Sequence, residues 1–214
     1  DRIEEFIAKG MTVHAELLRA EIEFARYNKA RCGGMMNWMY SEIWPSSTWA
    51  IVDYYTEPKQ AYYQARRSYK PVCVSFTEDK DGTRAFLVND TDKAVAAKIR
   101  YGMKTLDGEI VWEKKAKITA AANGVWSEKV TEADRGENRY LFVTAEAGKE
   151  RISAVYSADM WHGCRFKSDY TYNAEAVDGG IKVTIKAKSF AKGVTLILPD
   201  NYKYSYSDNY IDIE

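Results

Sequence analysis

The residue types able to do chemistry in this sequence crowd into one short stretch. Trp38, Trp44 and Trp49, three of its six tryptophans, stand there with the carboxylates Glu42 and Asp53 and the pair Tyr54-Tyr55. Flat aromatic rings stack on the C–H faces of sugars, and a chain that is 14% aromatic with 16 tyrosines points the same way, toward carbohydrate. The other candidates are weaker. His14 is a lone histidine in a helical pattern and is expected to be structural. Cys32, Cys73 and Cys164 form no CxxC pair and no zinc or disulfide spacing, so three free, mostly buried thiols are expected. No metal or cofactor is expected.

The elements that must position this stretch follow from period and punctuation. Residues 2–31 read as helix, interrupted at Gly10 and resumed with Thr12 as N-cap. In the resumed part Leu17, Leu18, Ile22, Phe24 and Ala25 are expected to form the buried stripe, with Glu16, Arg19, Glu23 and Arg26 facing water. Gly33-Gly34 is expected to end the helix. Met35–Tyr40 is apolar without period-2 alternation, which predicts a strand buried on both faces, as in a parallel sheet. The loop 41–56 then leaves the C-terminal end of that strand, where ligands bind in open α/β sheets and barrels. Glu57-Pro58 starts a second helix, with Ala61, Tyr62, Ala65 and Tyr69 buried, and Pro71 closes it.

After Pro71 the period becomes 2. Turn signals every 8–14 residues separate about seven strands up to Ser157, the pattern of an antiparallel, immunoglobulin-like sandwich. Residues 158–168 read as a linker. Tyr170–Val177, Ile181–Ala187 and Val194–Leu198 read as three more strands, with a hairpin turn at Asp178-Gly179-Gly180. They are too few to close a sandwich, so this unit must pack on its neighbour or continue beyond the sequence.

Bulk properties narrow the partners. The 214 residues carry 31 basic and 31 acidic side chains, with no basic stripe, so nucleic acid is not an expected partner. No apolar run approaches the length of a membrane span, so no membrane partner is expected. The start Asp-Arg-Ile-Glu-Glu, without Met or an apolar leader, suggests a piece of something longer. Nothing separates a cytoplasmic from a periplasmic or secreted location.

From Trp38 to Pro71 the sequence runs Trp-Met-Tyr-Ser-Glu-Ile-Trp-Pro, then Thr-Trp-Ala-Ile-Val-Asp-Tyr-Tyr, then Pro-Lys and a Tyr-rich segment. This resembles the β-mannosidase-like branch of glycoside hydrolase family 2, whose usual string is Trp-Gln-x-Asn-Asp-x-Trp-Pro, Ser-Trp-Ser/Ala-x-x-Asp-Tyr-Tyr and Pro/Trp-Lys. Tyr206-Ser-Asp-Asn-Tyr-Ile-Asp-Ile213 resembles a Phe-Ser-Asp-Asn-Tyr-Phe-Asp segment in the last domain of these enzymes. The resemblance implies a (β/α)8 barrel that hydrolyses β-glycosides with retention, followed by immunoglobulin-like domains. It implies that residues 1–70 are the last part of the barrel (late helix, eighth strand, eighth helix), 71–160 a β-sandwich, and 161–214 a partial C-terminal β-sandwich.

Retaining hydrolysis uses two carboxyl groups roughly 5–5.5 Å apart. In the family both are glutamates on earlier strands, so the resemblance places no catalytic residue in this chain. It implies a substrate-binding wall instead: Trp38 as a stacking floor, Ser41 and Glu42 at the positions of the family Asn-Asp pair, and Trp44 and Trp49 lining the mouth or packing the loop. Glu42 stands between two roles, a substrate contact or a structural ion pair with a nearby Arg or Lys. Met39, Ser41 and Glu42 depart from the family's Gln, Asn and Asp. The resemblance makes mannose the default sugar, and these departures leave glucosamine, galactose and glucuronic acid open. The expected partners are a β-linked sugar or oligosaccharide and the N-terminal part of the same enzyme. The alternative is a non-catalytic β-sandwich module that binds carbohydrate or acts as a spacer.

Overall fold

Seven strands follow one another from Val72. In the computed structural model, which describes residues 2–130, 138–157, 161, 163–167, 169–199 and 204–214, these are β1 (Val72–Asp79), β2 (Gly82–Asn89), β3 (Val95–Thr105), β4 (Ile110–Ala120), β5 (Val125–Lys129), β6 (Arg139–Ala147) and β7 (Glu150–Tyr156). Strands β3 and β4 largely alternate inward and outward residues, whereas β2 and β6 carry continuous apolar runs buried on both faces. They form two antiparallel sheets, ordered β1-β2-β5 and β4-β3-β6-β7. Val74, Phe76 and Leu87 of the first sheet meet Ile99, Tyr101, Met103, Leu141 and Val143 of the second in one core. Each such side chain contributes about 1.5–3 kcal/mol by leaving water. The expected sandwich is therefore present. Gly102 lets β3 and β4 close up: a Cβ there would sit 2.2 Å from the Trp112 carbonyl oxygen. Trp112 and Trp126 pack edge-on to Tyr101, at 6.4 and 6.3 Å between ring centroids.

The first 70 residues differ from expectation in several ways. Helix α1 runs without a break through Ile3–Tyr27. Gly10 costs only about 1 kcal/mol in a helix, and Thr12 does not cap a new segment but donates its hydroxyl to the Ala8 carbonyl and to Gln60. The helix ends at Tyr27, not at Gly33-Gly34. The Asn28 main-chain N–H and side-chain amide both donate to the Phe24 carbonyl there. Helix α2 spans Gln60–Ser68, starting two residues after Pro58. Its buried face is Ala61, Tyr63, Ala65 and Ser68, while Tyr69 is exposed. Met35–Tyr40 is no strand. It runs as a chain without a ladder, and beyond it only the single parallel bridge Ser41–Val52 forms. A strand buried on both faces needs a neighbour on each edge, and no such neighbours are present among the described residues. No barrel sheet is present among them either.

The larger difference is the face that α1 buries. Glu16, Glu23 and Arg26 are buried and the Arg19 side chain is 11% exposed, whereas Leu17 and Phe24 are about half exposed. Each buried charge has partners. Arg19 meets Glu16 at 2.8 Å and donates to the Val155 carbonyl at 3.0 Å. Lys192 bridges Glu16 (2.5 Å) and Asp212 (2.8 Å). Glu23 accepts from Ser68 and Ser75. Arg26 binds Asp90 at 2.8 Å, the Lys70 carbonyl at 2.7 Å and the Cys73 thiol at 3.1 Å. The polar side of α1 is thus the seam with the sandwich and the C-terminal region. A second seam of the same helix is apolar: Ala15, Leu18 and Ile22 pack on Ile51, Val52, Ala61 and Ala65. Of the three free cysteines only Cys73 is buried; Cys32 and Cys164 are half-buried. No described helix is long and apolar enough to cross a membrane.

Of the expected linker 158–168, residues 158–160, 162 and 168 lie outside the described residues. Trp161 is buried and stacks on Phe190, with centroids 5.1 Å apart. Strands β8 (Tyr170–Val177) and β9 (Gly180–Ala187) form a hairpin, turned at Gly179 with φ +78°. The strand expected at 194–198 is instead β10 (Ala191–Val194), paired with β11 (Ile211–Ile213). The C-terminal unit is two two-stranded ribbons, as few strands dictate. It is fastened to α2: Arg67 reaches Asp208 at 2.6 Å and the carbonyls of Asn209 and Tyr210, and Arg66 reaches the Ser207 carbonyl at 2.8 Å.

Candidate functional site

The candidate loop is held from below by its own backbone and apolar residues. Ala50, Ile51 and Val52 are buried, and the last two join the core between α1 and α2. Ile51 N–H donates to the Met39 carbonyl and Val52 N–H to that of Tyr40, while Glu42 N–H returns to the Val52 carbonyl. Asp53 braces the far end by accepting from Glu57 N–H at 2.8 Å. The loop backbone is therefore fixed on both sides of its tip.

The side chains that the sequence singled out divide into two groups. Trp38, Trp44 and Trp49 are 78%, 65% and 61% exposed, and none of the three rings packs on another aromatic ring. The Trp38–Met39 peptide is cis. Ser41 is half-buried, and its hydroxyl donates to the Glu42 carbonyl at 3.3 Å.

Glu42 belongs to the other group. Its side chain is 3% exposed, and Lys59 Nζ forms an ion pair with its Oε1. Thr48 Oγ1 donates to the same oxygen at 3.0 Å, and Ala50 N–H donates to Thr48 Oγ1 at 3.2 Å. Hydrogen bonding from Lys59, then from Thr48, holds the Glu42 carboxyl below the usual carboxylate range, against the opposing effect of burial. One carboxylate oxygen is thus committed to tying the loop tip to the foot of α2. Burial, and then the charge of Lys59, also lowers the His14 pKa and favours the neutral ring. Lys59 and Thr48 were not singled out from the sequence. The usable signal was Lys59 itself, a cation directly after Pro58 and 17 positions from Glu42.

The loop thus presents three exposed indoles over a buried floor. No protein-family model matches the chain. Among curated relatives, β-mannosidase B of Thermothelomyces thermophilus is 32% identical over 82 residues, 36% of this chain and 10% of its own length. β-Mannosidase B of Aspergillus niger is 45% identical over 47 residues, 22% of this chain and 6% of its own. Among solved structures, the β-D-mannosidase of Dictyoglomus thermophilum matches 99% of this chain and 26% of its own, with a TM-score of 0.88 at 22% identity. The exo-chitosanase CsxA of Amycolatopsis orientalis matches 98% of this chain and 30% of its own, with a TM-score of 0.77 at 20% identity. The chain thus spans a tenth or less of the length of these curated relatives and under a third of these solved chains. It is similar to β-mannosidases in sequence over part of its length and to a β-D-mannosidase in fold, in line with the resemblance of the Trp38–Pro71 string.

Proposed function

We propose that this chain is the C-terminal portion of a retaining, exo-acting β-glycosidase of the β-mannosidase-like kind. In this reading it supplies one wall of the sugar pocket and none of the catalytic glutamates. Residues 1–70 are the last part of a (β/α)8 barrel, 71–160 a sandwich and 161–214 part of a terminal one. The observation that carries the reading is the joint exposure of Trp38, Trp44 and Trp49 on a loop whose floor, Ala50–Val52, is buried. Rings held at a rim and largely uncovered among the described residues are suited to stacking on sugar.

Two further features support the barrel. Ile3, Phe6, Val13, Leu17 and Phe24 form a second apolar stripe on α1, half exposed or more, where a neighbouring barrel helix or sheet would lie. Met36, Trp38 and Tyr40 are likewise exposed on a chain segment with no sheet beside it. In the proposed wall Trp38 is the stacking floor and Ser41 reaches sugar hydroxyls. Glu42 contributes chiefly by holding the loop through Lys59, with its second oxygen left for a hydroxyl. The names of the related proteins make mannose and glucosamine the first sugars to test.

Titrating the chain with manno- and gluco-oligosaccharides while following tryptophan fluorescence tests the pocket wall. A saturable change abolished by Trp38→Ala is expected, and one that survives Trp38→Ala would place binding elsewhere. The reading frame upstream of residue 1 tests the parentage. A segment with Asn-Glu for the acid/base and a later Glu for the nucleophile is expected, and their absence would end the proposal.

A further inference from the structure

Alternation along β3 buries Ile99 and Tyr101 inside the sandwich and turns Lys98 and Arg100 outward. Register then lines up charges across all four strands of that sheet. Lys117, Lys98, Glu146 and Arg151 form one row; Lys115, Arg100, Thr144 and Ser153 form the next. Neighbouring strands stand about 4.8 Å apart, so each row is roughly 14 Å wide. The rows border an open hollow of about 610 Å³. The chain as a whole is neutral, so this grouping of five cations with two carboxylates, Glu113 and Glu146, is a local feature.

The pairing leaves positive charge in excess. Glu113 is shared by Arg100 at 2.6 Å and Lys115 at 2.9 Å. Among the described residues, no carboxylate forms an ion pair with Lys98, Lys117 or Arg151. The Arg100 guanidinium lies 5.0 Å from the centroid of the Phe142 ring, which supports it from beneath. We propose that this outer face of the β4-β3-β6-β7 sheet binds an extended acidic polysaccharide, a chain with a carboxylate on successive sugars.

Three features select that occupant. Cations on three strands, β4, β3 and β7, reach further than one carboxylate or phosphate, so the ligand is extended and carries several charges. No aromatic ring lines the hollow, which removes the stacking platform that single-stranded nucleic acid uses. Ser153, exposed in the same register row as Arg100, offers its hydroxyl to a sugar hydroxyl. The inference rests on the sheet's register and charge and is independent of which sugar the tryptophan loop accepts.

Calorimetric titration of the chain with an oligogalacturonate tests it. A neutral oligosaccharide and a single-stranded oligonucleotide of equal length serve as comparisons. The oligogalacturonate is expected to bind at low salt and to weaken by about ten-fold or more in high salt, as exposed charge contacts do. The neutral sugar is expected not to bind. Lys98→Glu/Lys117→Glu, and separately Arg151→Glu, should weaken binding by about ten-fold without moving the melting temperature, and Lys98→Arg/Lys117→Arg should retain it. Failure of the oligogalacturonate to bind, indifference to both charge reversals, or equally tight oligonucleotide binding would overturn the proposal.

Discussion

Replacing Lys59 with Met strands the Glu42 carboxylate. The Glu42 side chain is 3% exposed and that of Lys59 20%, so the variant leaves a buried anion with only Thr48 as a side-chain donor. Removing one member of a buried pair costs about 3–5 kcal/mol. Partial access of water to Lys59 lowers the expectation here to about 2–4 kcal/mol. The loss should depend on pH with a definite sign. In the native chain the Glu42 pKa lies below its unfolded value. Its stabilisation is therefore present above the unfolded pKa and is lost as pH falls through the lower folded value. In the variant only the Thr48 hydrogen bonds oppose burial, so the Glu42 pKa rises relative to the native chain, and the penalty is present near neutrality and fades as the carboxyl protonates. Urea unfolding at pH 7 and pH 4, followed by tryptophan emission, measures both terms. The gap between the two proteins should narrow by more than half at the lower pH. Glu42→Gln in the Lys59→Met background should restore about 1–3 kcal/mol at pH 7 by removing the orphaned charge. A loss under about 0.5 kcal/mol, or one that does not change with pH, would refute a buried, load-carrying pair.

Other sites give independent checks. Burial raises the Glu23 pKa despite Arg19, Ser75 and Ser68, so its contribution is present below the unfolded pKa and lost as pH rises toward the folded value. Glu23→Gln should thus be neutral or stabilising by about 1 kcal/mol at pH 7, with the gain absent at pH 4, as thermal melts at both pH values would show. Gly102→Ala places a methyl 2.2 Å from the Trp112 carbonyl oxygen and should cost about 2–3 kcal/mol by denaturant titration, because β3 and β4 must part to admit it. Arg67→Ala removes bonds to Asp208, Asn209 and Tyr210, so limited proteolysis should cut the C-terminal segment faster while the sandwich loses at most about 1–2 kcal/mol.

The sandwich was legible because its signals are local: alternation over 5–11 residues, closed by turn residues, fixes each strand without knowledge of its partner. The buried face of α1 was not, because its reason is remote. Glu16 is buried on account of Lys192, 176 positions away, and Arg26 on account of Asp90, 64 away. Charges at helical spacing read as a wet face unless those partners are known, and the truly exposed Leu17 and Phe24 then read as core. The Met35–Tyr40 segment failed for a related reason. Its residues suit a strand flanked on both edges, but strand structure is shared with neighbours and cannot be held by one segment. At the candidate site residue type and string singled out Trp38, Trp44 and Trp49, and the structure shows all three exposed. For Glu42 the sequence left a substrate contact and an ion pair open; the ion pair is present, and its partner Lys59 was not legible because the fold of the loop follows no period.

The grip of Arg66 and Arg67 on residues 207–210 closes the chain on itself across about 140 positions. Everything from Pro71 to Tyr206, the whole sandwich included, lies inside that clasp. A backbone cut in one of the sandwich turns leaves two pieces still bound through the ladders and through the α2 clasp, so integrity of the peptide chain and integrity of the assembly become separate properties. Strain applied to either end passes first to α2, the helix at the foot of the tryptophan loop, before it reaches the sandwich core.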